Sequence, residues 1–193
     1  MFLETITIGQ VAAPLISTVA AILLYHYLGR EYLGAEENKY WNSARRTIIT
    51  TVNPIVEKKT PFTLTNSPSE EEFVGSYSVN SLRLAEALFS VGYVQGVLSG
   101  LKIDSDEAQT ASRPKYESGS MVFRESRSDL IPDALALRQV HVFWFERDGS
   151  VDVYAHEEYS SLNPLVSWKH YRAISQNADK GVKRVRPVLE EKL

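Results

Sequence analysis

The 193-residue chain contains no cysteine. That absence excludes a disulfide scaffold, an iron–sulfur cluster and a thiolate zinc site. There is also no excess of positive charge. Lys and Arg number 21 against 24 Asp and Glu, a formal charge of -3, so a nucleic-acid binder held by overall charge is not expected. The phosphate-loop pattern G-x-x-x-x-G-K-[ST], the zinc-protease pattern H-E-x-x-H and the nucleophile elbow G-x-S-x-G are all missing, and no cofactor is expected. Neither an internal repeat nor a low-complexity tract occurs. At 44% hydrophobic and 10% aromatic residues, the chain is too apolar for wholesale disorder.

What is present begins at the amino terminus. From Thr5 to Gly29 there are 25 residues without Asp, Glu, Lys or Arg. Within them, 14 of the 18 residues from Val11 to Leu28 are apolar, the exceptions being Pro14, Ser17, Thr18 and His26. As a helix, 25 residues rise roughly 37 Å, more than the roughly 30 Å of bilayer hydrocarbon. Pro14 falls near the start, where its missing N–H costs least, and Ser17 and Thr18 can bond their own helix's carbonyls. Tyr25 and Tyr27 suit the membrane interface. A cleaved signal peptide needs a basic stretch before the apolar run, and none precedes it. An interfacial helix would carry lysines on one face, and a core helix would show a polar face; neither is seen. Residues 1–34 are therefore read as a single membrane span. No Lys or Arg precedes the span, whereas Arg30, Lys39, Arg45 and Arg46 follow it. The positive-inside rule puts the amino terminus outside and the carboxy-terminal domain in the cytoplasm or interior.

Residues 35–60 read as a juxtamembrane amphipathic helix, with Trp41, Ala44, Ile48, Val52 and Ile55 on one stripe and Pro54 ending or kinking it. Residues 61–193 read as a soluble α+β domain, large enough for its own core. Phe62 and Leu64 alternate with Thr as a short strand. Ser67-Pro68-Ser69-Glu70 has the pattern of an N-cap, a first-turn proline and a capping-box Glu, and predicts a short acidic helix stopping near Gly75. A second helix is predicted from Ser81 to Val91, with Leu84, Ala85, Leu88 and Val91 inward and Gly92 closing it. Tyr93–Ile103 reads as extended. Residues 104–120 have almost nothing to bury and read as a loop, and a strand at Met121–Arg124 follows. Beyond Asn163-Pro164, helices are predicted over 165–175 and over Ala178–Glu191. The last has Val182, Val185 and Leu189 inward, Lys180, Lys183 and Arg184 outward, and a kink at Pro187.

The best-defined element is an antiparallel hairpin near 139–159. QVHVFWFE and VDVYAHEEY are both rich in β-branched and aromatic residues, and Asp148-Gly149 lies between them. Two registers are open. With a two-residue type I′ loop, His141 faces His156, and both share a face with Asp152, Glu158, Phe143 and Phe145. The opposite face is then Val140, Val142, Trp144, Val151, Val153 and Ala155. With a three-residue loop and a glycine bulge, the histidines fall on opposite faces. The first register gives the cleaner apolar face. In it, His141, His156 and Glu158 are candidate metal ligands or acid–base groups. The ordinary alternative is a histidine pair that packs and hydrogen-bonds.

From Lys169 to Lys192, seven Lys and Arg stand against three acids. Lys180, Lys183 and Arg184 on the last helix are candidate contacts to phosphate, which for a membrane-tethered domain means lipid head groups. A solvated charged face is the ordinary explanation. The run Arg138–Trp144, with the glycine turn and second strand after it, resembles the hairpin of LssY-type carboxy-terminal domains over about a quarter of the soluble part. Phe143 stands where that family has a basic residue, and the family's later His-rich segment has no counterpart. The resemblance therefore implies no residue role.

Together these features predict a single-pass membrane-anchored protein. Its α+β domain serves interaction or structure in a membrane-associated assembly, in a cell envelope or a membrane-containing virion. Membrane lipid and a protein partner, or self-association, are the expected contacts. Two alternatives compete with this reading. One is an anchored enzyme using the His141/His156/Glu158 face, which the hairpin register tests. The other is a nucleic-acid-tethering protein using the basic carboxy-terminal helix.

Overall fold

The two long strands of the hairpin organise the domain. Arg138–Arg147 (β4) and Ser150–Tyr159 (β5) pair antiparallel over ten residue pairs, from Arg138 opposite Tyr159 to Arg147 opposite Ser150. His141 stands opposite His156, so the register is that of the two-residue loop. The turn itself differs from the expected type I′ geometry. That geometry needs a positive φ at both central residues, and here only Gly149 has one, at 77°.

The structure is a computed structural model and describes residues 67–95, 102–104, 117–125, 133–170 and 172–193. The predicted membrane span of residues 1–34, the stripe of residues 35–60 and the Phe62/Leu64 strand lie outside the described residues. Among the described residues, no helix is long and apolar enough to cross a membrane.

The hairpin sits in a five-stranded sheet of order β1-β5-β4-β3-β2, every neighbouring pair antiparallel. The other strands are Phe73–Tyr77 (β1), Val94–Gln95 (β2) and Gly119–Arg124 (β3). The helices are Ser81–Phe89 (α1), Ser167–His170 (α2) and Ala178–Lys192 (α3). The domain is thus α+β, as expected. Strand alternation divides the sheet into two faces. On one, Val140, Val142, Trp144, Val151, Val153 and Ala155 pack with Leu84 and Leu88 of α1 and with Val185 and Leu189 of α3. This is the apolar core. The facing side of the sheet carries the histidines.

Several local expectations are corrected. The acidic helix is only a 3-10 turn, Glu70–Glu72, and its N-cap is Ser69. The backbone N–H of Ser69 donates to Glu72 Oε2 at 2.6 Å, so the capping box lies two residues later than a Ser67 cap would put it. Gly75 lies inside β1 rather than ending a helix. Sheet pairing wins there because Phe73-Val74 forms a bulge opposite Tyr154. Phe73 then packs its ring at a tilt against Tyr154, centroids 5.4 Å apart, on one face while Val74 enters the core on the other. The predicted loop of residues 104–120 is buried at both ends, at Asp104 and at Glu117 and Ser120. Glu117 donates its N–H to the Lys102 carbonyl. The helix expected over 165–175 is cut to Ser167–His170, because Ala173 and Ser175 take left-handed backbone, φ 50° and 56°.

The other helices agree with the reading. Asn80 caps α1, accepting the Arg83 N–H at 2.9 Å. Beyond α1, Gly92 has φ 92° and Tyr93 N–H returns to the Leu88 carbonyl, a C-terminal closure that favours glycine. Asn177 caps α3 and also pairs its backbone with Glu157, which ties the start of the helix to the edge of β5. The helix runs on through Pro187. Its first turn rests directly on β5, and a Cβ on Gly181 would lie 2.3 Å from His156 Cα.

Two outcomes follow from this packing. Gly181→Ala should destabilise the domain by about 1–3 kcal/mol despite alanine's better helix propensity, because α3 must lift off the strand; urea denaturation reads the loss. Tyr93 is buried against Phe123. Burial pushes its phenol up from 10.0 to about 12, against the opposing charge of Arg184. The unfolded state therefore releases this proton first, so stability present below about pH 10 should be lost as pH climbs toward 12. Tyr93→Phe should remove that part of the alkaline decline, followed by phenolate absorbance alongside unfolding.

Candidate functional site

The second face of the sheet carries aromatic packing at one end and a polar cluster at the other. Phe143 stacks on Tyr154, with ring centroids 5.6 Å apart and planes 11° apart, and Phe145 meets both rings edge-on. Phe143 and Phe145 are fully buried. Lys102, also buried, places its ammonium 5.1 Å from the Phe143 ring centre, a cation–π contact.

Next to these rings lie His141 and His156, perpendicular to one another with centroids 5.2 Å apart. His156 is completely buried. Its Nδ1 is 2.5 Å from Glu72 Oε1, so the carboxylate that caps the 3-10 turn with one oxygen binds the imidazole with the other. Its Nε2 lies 3.2 Å from Glu158 Oε2, an ion-pair distance without hydrogen-bond alignment. His141 Nε2 is 2.6 Å from Ser120 Oγ on β3, and its Nδ1 is 3.5 Å from Glu158 Oε1. Glu158 is 2% exposed. Its Oε1 accepts from Gln139 Nε2 at 2.8 Å, and its Oε2 lies 3.0 Å from His170 Nδ1.

The protonation pattern follows from these contacts. Burial pushes both carboxyls up, but His156 beside each outweighs it. Glu72 is pulled down to about 2, with Lys102 assisting. Glu158 is held well below the carboxylate range, with His170 assisting. Burial favours neutral imidazole at both histidines. At His141 it prevails and the group falls to about 3. At His156 the two carboxylates prevail and the group is raised. An imidazolium thus sits between two carboxylates, with a neutral imidazole alongside.

The structure therefore brings His141, His156 and Glu158 together. Asp152 shares their face but lies towards the hairpin turn, where it accepts from Arg147 Nε at 2.8 Å and from Ser76 Oγ at 2.5 Å. Lys180, Lys183 and Arg184 lie on α3, which packs on the opposite face of the sheet. Each meets a carboxylate: Lys180 and Glu157 at 3.5 Å, Lys183 and Asp179 at 2.8 Å, Arg184 and Glu125 at 2.8 Å. The sequence reading missed Glu72, Ser120, Gln139 and His170. Glu72 escaped it because the local pattern sets the capping-box glutamate at Glu70, two residues too early. A shallow cleft of about 250 Å³ lies at the hairpin turn between residues 78–80 and 146–150, and none of the cluster residues lines it.

No protein-family model, curated protein or solved structure matches this chain.

Glu72→Ala should cost about 3–5 kcal/mol, because it leaves the buried His156 short of a counter-charge and also uncaps the 3-10 turn. A urea titration of the variant against the parent protein measures this. An unchanged midpoint would mean that the pair carries no stability.

Proposed function

We propose that this protein is a single-pass membrane-anchored module whose α+β domain has a structural or interaction role in a membrane-associated assembly. One observation carries the anchor: the 25 residues of Thr5–Gly29 lack Asp, Glu, Lys and Arg altogether. Such a stretch is more stable among lipid tails than in water. The flanking basic residues favour an outside amino terminus and an interior domain.

The non-catalytic reading draws on how the polar cluster is used. Glu72, His141, His156 and Glu158 contact one another or neighbouring side chains, and His156 and Glu158 are covered. By contrast, large apolar side chains are exposed, including Phe89 at the end of α1 at 61% and Leu165 in the turn before α2 at 76%. Exposed apolar side chains of this kind suit a protein partner or the membrane surface. Lys180, Lys183 and Arg184 are the proposed lipid or phosphate contacts, in competition with the carboxylates already facing them. The anchored-enzyme reading is the second, favoured by the single fact that His141 and His156 share a face.

Fractionation tests the anchor. Full-length protein should stay with membranes through an alkaline wash and require detergent for release. Deleting residues 1–34 should release a folded domain into the aqueous fraction. Protease added outside sealed vesicles should leave the domain intact. Full-length protein that is soluble without detergent would overturn the reading.

A further inference from the structure

Three of the chain's four histidines, at 141, 156 and 170, meet the carboxylate of Glu158. We propose that His141 Nδ1, His156 Nε2 and the Glu158 carboxylate form a binding site for a transition-metal dication of the Zn²⁺ type. The three ligand atoms lie within 4.8 Å of one another. Two of the separations are 3.5 Å and 3.2 Å. Ligands about 2.1 Å from zinc at a tetrahedral angle stand about 3.4 Å apart, close to both separations, which run one to each oxygen of Glu158.

The surroundings of the two imidazoles point the same way. A metal-binding imidazole characteristically bonds its other nitrogen to a carboxylate, carbonyl or hydroxyl, which orients the ring and raises its basicity. Glu72 does this at His156 Nδ1 and Ser120 at His141 Nε2. Both remaining nitrogens are thereby turned toward Glu158. His156 Nε2 is buried and aimed into the cluster, 3.2 Å from Glu158 Oε2 but without hydrogen-bond alignment. Glu158 is itself held by Gln139. The metal would displace the Nε2 proton of His156 to solvent, and Glu72 and Glu158 would then supply two negative charges to match a dication. His170, with its Nδ1 3.0 Å from Glu158 Oε2, holds the carboxylate from outside the three-ligand group. Two imidazoles with one carboxylate favour zinc, cobalt, nickel or copper over magnesium or calcium. The site is independent of the anchor, since it uses only residues of the sheet and its flanks.

The test takes the full-length chain in detergent, strips it with EDTA and titrates it with Zn²⁺ by calorimetry, using Co²⁺ as the spectroscopic substitute. One Zn²⁺ per chain is expected, with millimolar Mg²⁺ or Ca²⁺ unable to displace it, and visible Co²⁺ bands of nitrogen-ligated low coordination. Glu72→Gln keeps all three ligands and should weaken binding about 10–100-fold. His141→Ala should weaken it further, and His26→Ala should leave it unchanged. Ser120→Ala removes only the hydroxyl on His141 Nε2, and it serves as the milder variant should His141→Ala not fold. Folded wild-type protein that takes up no Zn²⁺ overturns the proposal, as does a folded His141→Ala or Ser120→Ala variant that binds as tightly as the wild type. Neither result touches the membrane anchor, which fractionation reads separately.

Discussion

Setting His141 opposite His156 decides which side of the sheet every side chain of β4 and β5 takes. Side chains alternate with a period of two, so a slip of one residue would send one strand's core residues to the wrong face. In the observed register, Val142 pairs with Ala155 and Trp144 with Val153 on the core side. His141 with His156 and Phe143 with Tyr154 take the other. The apolar core under α1 and α3 and the buried polar cluster are two consequences of one alignment.

The helix α3 reinforces that alignment from the core side. Gly181 allows its backbone to rest on the backbone of His156, and Asn177 hydrogen-bonds Glu157 in both directions. The strand is thus held at the residues that face the cluster. On the other side, Glu72 reaches His156 across 84 residues of sequence. Burying two carboxylates costs several kcal/mol each unless they are paired, and His156 pairs with both. The cluster is a place where charge, rather than apolar contact, holds the 3-10 turn to the sheet.

Much of the fold was legible because local chemistry and tertiary demand agreed. Asn80 before α1, Gly92 after it and the alternation of Val140, Val142 and Trp144 each specify one outcome. The reading failed where a distant strand competed with local preference. Glu70–Glu72 looked like the opening of a helix, but Phe73–Tyr77 alternates and found β5. The helix expected over 165–175 stops early because Ala173 and Ser175 turn left-handed, and nothing in their residue types announces that. Of the candidate site, His141, His156 and Glu158 were visible as a possibility tied to one register. Their partners were not, because Ser120 and Glu72 come from segments whose register against the hairpin has no local signature.

The sequence by itself determined the class of the domain, the hairpin, the main helices and the ion-free opening stretch, since periodicity, caps and turn residues act over a few neighbours. Tertiary structure alone decided that three histidines and two glutamates from four separate segments share one largely covered space. Which charges meet depends on strand pairing and helix docking across the whole chain, and composition carries no record of those distances.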